Sequence, residues 1–169
     1  MKKLSIFALL IALAAGAWFL YNQREQADLP KPYDESADAN LALQSAFASA
    51  RTTQKPLLVI FGANWCPDCR ALDQAMQDEP LASLVSDHFI PVKIDVGNFN
   101  RNMDISDRYG NITKRGIPAI AVLSPEGEVR FATRAGELAK AKRMGPGGIY
   151  DFLSGVAKQS AMNQLAIEK

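Results

Sequence analysis

Residues 58–70 read Leu-Val-Ile-Phe-Gly-Ala-Asn-Trp-Cys-Pro-Asp-Cys-Arg, and this stretch contains both cysteines of the chain, Cys66 and Cys69. Leu57 to Phe61 is a short unbroken apolar run, the pattern of a strand covered on both faces. Gly62-Ala63-Asn64 interrupts it just before the cysteines. From Pro67 to Gln77 the spacing turns helical, with Leu72 and Met76 inward, and Pro67 suits the first turn, where its missing N–H costs nothing. The cysteines therefore fall at a strand-to-helix turn. Cys66 would face free backbone N–H groups and the positive end of the helix dipole, which favour a thiolate and make it the attacking sulfur. Cys69, one turn further and less exposed, would resolve a mixed disulfide formed at Cys66.

Two blander uses of the pair fail on simple counts. A disulfide closing so short a loop would stabilise little. A structural zinc site wants four ligands, but the chain holds two cysteines and one histidine, so no metal is expected. His88, at the end of an amphipathic segment, reads as a boundary or packing residue. With 19 basic and 18 acidic residues and a net charge of +1, the chain has no basic surplus for phosphates, and nucleic acid is excluded as a partner.

Outward from the centre, the N-terminus stands apart. Met1-Lys2-Lys3 precedes an apolar run from Leu4 to Leu20, broken only by Ser5 and Gly16. At about 1.5 Å per residue this run spans roughly 25 Å, near the lower limit for crossing a bilayer. Ala15-Gly16-Ala17 also satisfies the small-x-small rule of a cleavable signal. Continuation of the run through Trp18, Phe19 and Leu20 favours a retained anchor, with Lys2 and Lys3 on the cytoplasmic side. The expected division is residues 1–21 as signal peptide or signal anchor, 22–35 as a Pro-containing linker, and 36–169 as one domain.

Within that domain a helix capped by Ser36 or Asp38 carries Leu41, Leu43, Ala46, Phe47 and Ala50 as its apolar stripe. Further elements are expected as a helix over Leu81–Asp87, a strand over Phe89–Val96, a helical turn over Ile105–Tyr109 and a strand over Ala119–Leu123. The turn Ser124-Pro125-Glu126-Gly127 leads into a hairpin strand, Glu128–Thr133. Gly136–Met144 reads as helical until Gly145-Pro146-Gly147-Gly148 interrupts, and Ile149 to Ile167 as the terminal helix. This order predicts an α/β fold, a mixed central sheet with helices on both faces.

The sequence Trp65-Cys66-Pro67-Asp68-Cys69 on a strand-to-helix turn, followed by Gly116-Ile117-Pro118 leading into a strand and a Pro-Glu-Gly-Glu hairpin, resembles the thioredoxin superfamily. The likeness is to its exported or membrane-tethered members and covers roughly Ala37 to Ser160. It implies the thioredoxin fold, a nucleophile at Cys66, a resolving thiol at Cys69, and no cofactor beyond the Cys66–Cys69 couple. It also implies a cis bond at Pro118, with the backbone of Ile117 pairing with a substrate strand, and Trp65 bordering the substrate surface. Two departures stand out. Ile60 occupies the place of the family's buried acid, leaving Asp68 and Lys93 as candidates for helping Cys69 lose its proton, and the segment Tyr109–Arg115 is longer than in a minimal thioredoxin.

Pro67 stiffens the turn, and the negative charge of Asp68 beside Cys66 disfavours the thiolate, which tilts the couple toward reduction; Arg70 would partly neutralise it. The expected activity is reduction of disulfides in exported proteins on the periplasmic side of a bacterial inner membrane. The protein would be a monomer, anchored or released by cleavage, and re-reduced by a membrane thiol electron donor. Oxidase or isomerase action, and a non-catalytic chaperone or maturation role for an exported client, are the alternatives.

Overall fold

The structure, a computed structural model, describes residues 11–20 and 30–167. The chain divides into two units after Pro30. In the first, residues 11–20 are helical. Among the described residues no helix is long and apolar enough to cross a membrane. The rest of the expected 1–21 signal or anchor segment, and linker residues 22–29, lie outside the described residues.

The second unit begins with helix α1, Ala39–Thr53, whose first free N–H groups are taken by Asp38: its carboxylate accepts from Asn40 N at 2.9 Å and Leu41 N at 3.1 Å. Strand β1 is Leu57–Gly62, followed by α2 (Pro67–Gln77), α3 (Leu81–His88) and β2 (Ile90–Asp95). A short α4 (Met103–Arg108) and a 3-10 turn (Ile112–Arg115) lead to β3 (Ala119–Leu123) and β4 (Val129–Ala132). The last helix, α5, runs Ala141–Ile167 with a break at Gly145, whose φ of 67° is left-handed.

The strands lie in the order β2-β1-β3-β4, with β1 parallel to β2 and antiparallel to β3, and β4 antiparallel to β3. The expected mixed sheet is therefore present. Two helices, α2 and α3, make the crossover that a parallel pair requires. Alternate residues of central β1 feed separate cores. Leu57, Val59 and Phe61 pack with Leu43, Ala46 and Ala50 of α1. Leu58 and Ile60 pack with Leu72 and Ala75 of α2 and with Ile149, Leu153 and Val156 of α5. Each large side chain so buried contributes about 1.5–3 kcal/mol relative to exposure. These two layers fix the carboxyl end of β1, and hence the cysteine turn, from both sides.

Three expectations need correction. Leu41 is 60% exposed and not part of the α1 stripe. It lies two residues from buried Leu43, about 200° around the helix. Gly136–Met144 is not one helix. Glu137 turns its carboxylate back onto Arg134 N and Ala135 N, and Gly136 sits at φ 75° against the Arg115 carbonyl, so regular helix starts only at Ala141. Nor is the linker free up to Glu35: Tyr33 is buried in the domain core, 3% exposed.

Candidate active site

Cys66 is the N-cap of α2, and Pro67 supplies the first helical residue. The buried Cys66 sulfur accepts from Cys69 N at 3.3 Å and donates its S–H to the Ile117 carbonyl at 3.6 Å. The bond between Ile117 and Pro118 is cis. The loop before β3 and the start of α2 therefore meet at this sulfur. Both cysteines are free thiols.

The two thiols are driven in opposite directions. A hydrogen bond from the Cys69 side chain, helped by the backbone N–H groups of Cys69 and Asp68, lowers Cys66 to about 7 against burial and the Asp68 charge. Burial, followed by the hydrogen bond to Cys66, pushes Cys69 far up. A thiolate at Cys66 beside a protonated thiol at Cys69 is the arrangement that sequential attack and resolution require.

The remaining residues singled out from the sequence fall around this pair. Asp68 accepts from the Lys142 backbone N–H at 2.9 Å, which ties the first turn of α5 to the rim beside a groove lined by Asp68, Ala139, Lys140, Lys142 and Arg143. Arg70 does not neutralise it. Its guanidinium donates to the Asn64 carbonyl at 2.6 Å, and among the described residues no ion pair joins the two. Trp65 is half exposed, donates Nε1–H to the Gly97 carbonyl at 2.8 Å, and meets Phe99 edge-on at 6.0 Å. Phe99 is itself 43% exposed and held at φ 60°, an uncommon conformation for a bulky residue. The long segment before Gly116 is pinned by Ser106 Oγ against Thr113 Oγ1 at 2.9 Å and by Arg134 on the Gly110 carbonyl at 3.2 Å.

Ile60 is fully buried and pairs in register with Lys93. No acid stands at Ile60; the buried acid nearby in the fold is Asp73 of α2, 6% exposed, which forms an ion pair with Lys93 and accepts from Gln77 Nε2 at 2.7 Å. Lys93 is thus committed to Asp73, and Asp68 to Lys142. Sequence reasoning missed Asp73, although its place one turn after Cys69, beside inward Leu72, was the available signal. It also missed Tyr33, a lone aromatic in a polar run, which carries no such signal. Among the described residues no cluster of acids, histidines and cysteines is arranged to hold a metal.

A thioredoxin-like family profile matches residues 38–125. A crystal structure described as a disulphide isomerase from Xylella fastidiosa Temecula1 is 48% identical, with a TM-score of 0.74, covering 76% of this chain and 98% of its own. A DsbH oxidoreductase matches at 18% identity with a TM-score of 0.51, over 82% of this chain and 98% of its own, a likeness of fold.

Proposed function

Since this chain belongs to the thioredoxin-like family, we propose that it is a thiol-disulfide oxidoreductase acting through Cys66 and Cys69. The observation that carries this reading is the geometry of the pair: the Cys66 sulfur caps α2, accepts from Cys69 N at 3.3 Å and meets the Ile117 carbonyl beside a cis proline, with Cys69 buried one turn on. The Cys66 thiolate attacks a client disulfide, one client sulfur leaves, and a mixed disulfide remains. Cys69 then attacks Cys66, releasing the second client sulfur as a thiol and leaving the Cys66–Cys69 disulfide. Client backbone extended along the Ile117 carbonyl edge would present its sulfur to Cys66.

The preferred direction is reduction. Asp68 raises the Cys66 pKa, and a couple whose thiolate is less stabilised lies toward the reducing end of the scale. Isomerase action is the second reading, favoured by the description of the 48% identical relative. Equilibration with glutathione tests the direction: a potential below about −200 mV is expected, and one above about −170 mV overturns the reductant reading. Recovery of activity from a scrambled multi-disulfide protein would favour the isomerase.

The clients are exported proteins and the site of action is periplasmic, with residues 1–21 as anchor or signal and a membrane thiol donor restoring the dithiol. Supporting this, residues 11–20 leave Ile11, Leu13, Trp18, Phe19 and Leu20 uncovered. Membrane fractionation of the full chain tests the anchor: a tethered protein stays with the bilayer after high-salt washing, and a released one does not.

A further inference from the structure

The resolving step asks a buried thiol with a strongly raised pKa to become a nucleophile, and the strand position from which an acid would assist it holds Ile60. Beside Cys69 lies the Tyr33 hydroxyl. A Cβ on Gly62 would stand 2.2 Å from Tyr33 Oη and 2.9 Å from Cys69 Sγ, so glycine at this position opens the space that hydroxyl and sulfur share. Tyr33 is held there by the active-site loop itself. Asn64, two residues before Cys66, accepts from Tyr33 N at 3.0 Å and donates to the Tyr33 carbonyl at 2.8 Å. Burial first, then the charges of Cys69 and Asp73, push the phenol well above its ordinary pKa. The group therefore stays O–H and acts as a donor, not a base.

Resting on the oxidoreductase reading above, we propose that Tyr33 is a catalytic residue of the second half-reaction: its hydroxyl donates a hydrogen bond to the Cys69 sulfur as negative charge develops there. In that step the Cys69 Sγ–Cys66 Sγ bond forms and the bond from Cys66 Sγ to the client sulfur breaks. The electron pair of the broken bond leaves with the client sulfur, which is reduced, while Cys66 and Cys69 end as a disulfide. The proton given up by Cys69 is balanced by the one the departing client thiolate takes up, so no external base is consumed. Tyr33 stabilises the charged sulfur between those two events, as a preorganised donor placed where charge develops.

Rapid acid quench of the reduced full chain mixed with glutathione disulfide, followed by mass analysis, separates the two steps. Tyr33→Phe is expected to form the Cys66–glutathione adduct at the wild-type rate and to resolve it about ten-fold or more slowly, the loss of one hydrogen bond to a charged group. Asn64→Ala, which frees the Tyr33 backbone, is expected to slow the same step, and to add little in the Tyr33→Phe background. An unchanged attack rate in both variants controls for the fold. Equal resolution rates in wild type and Tyr33→Phe overturn the role of Tyr33 and leave the oxidoreductase reading standing. A wild-type protein that never forms the Cys66 adduct overturns both.

Discussion

Cys66 and Cys69 sit on the same helix, one turn apart, and share the same neighbours in sequence, yet their surroundings differ in kind. Cys66 caps α2, receives backbone N–H groups and meets the Ile117 carbonyl of the loop before β3. Cys69 is wholly enclosed, with Tyr33 packed over it. Both thiols are buried, but at Cys66 the hydrogen bonds from Cys69 and the helix-start N–H groups outweigh burial, with the Asp68 charge the weakest influence, while at Cys69 desolvation leads. A reactive thiol and a reserve thiol are made by the helix start and by the core.

The sharpest way to break this contrast is to remove one sulfur at a time. Cys66→Ser is expected to abolish dithiol-driven insulin reduction, measured as turbidity, whereas Cys69→Ala should still attack once and accumulate mixed disulfides visible on non-reducing gels. Equal residual activity in the two variants would contradict the division of labour. Next in size is the ion pair between α2 and β2. Asp73→Asn removes the partner of Lys93, and since the Lys93 side chain is 33% exposed and can reach water, the expected loss is about 1–3 kcal/mol in urea unfolding, below the 3–5 kcal/mol of a wholly buried pair. Asp73→Leu combined with Lys93→Leu should recover much of it.

The smallest expected effect is at Asp68. Asp68→Asn removes the charge that raises Cys66, so Cys66 should titrate lower, by less than about one pH unit given solvent screening. The couple then becomes slightly more oxidising, read as a shift of the glutathione equilibrium toward the dithiol. A shift in the opposite direction would show that the Lys142 N–H bond held by Asp68 matters more than its charge.

Much of the scaffold was legible because it is written in local periodicity. The run at Leu57–Phe61, the helix bounds Pro67 and Gln77, and the strand Ala119–Leu123 follow from apolar spacing and from Pro and Gly punctuation. The placement of two cysteines at a strand-to-helix turn was legible for the same reason. What escaped depends on contacts between distant segments. Tyr33 reaches the core only because Asn64, 31 residues away, clamps its backbone. Asp73 is buried with a partner because β2 brings Lys93, 20 residues away, to it. Phe99 keeps its left-handed backbone in a loop that Trp65 touches from another element, and Gly136–Met144 lost its helix to the Glu137 cap and the Arg115 carbonyl. Apart from the Glu137 cap, none of these partners is within one helical turn or strand step of the residue it positions.

The difference between the two thiols is best tested by alkylating the reduced protein with iodoacetamide across a pH series and mapping the labelled peptides. Cys66 should be modified with a midpoint at about 7, the rate falling about ten-fold for each pH unit below it as the thiolate is protonated, while Cys69 stays unlabelled until the fold opens. A Cys66 midpoint near the ordinary thiol value of about 8.5, or labelling of Cys69 at the same rate as Cys66, would contradict the account.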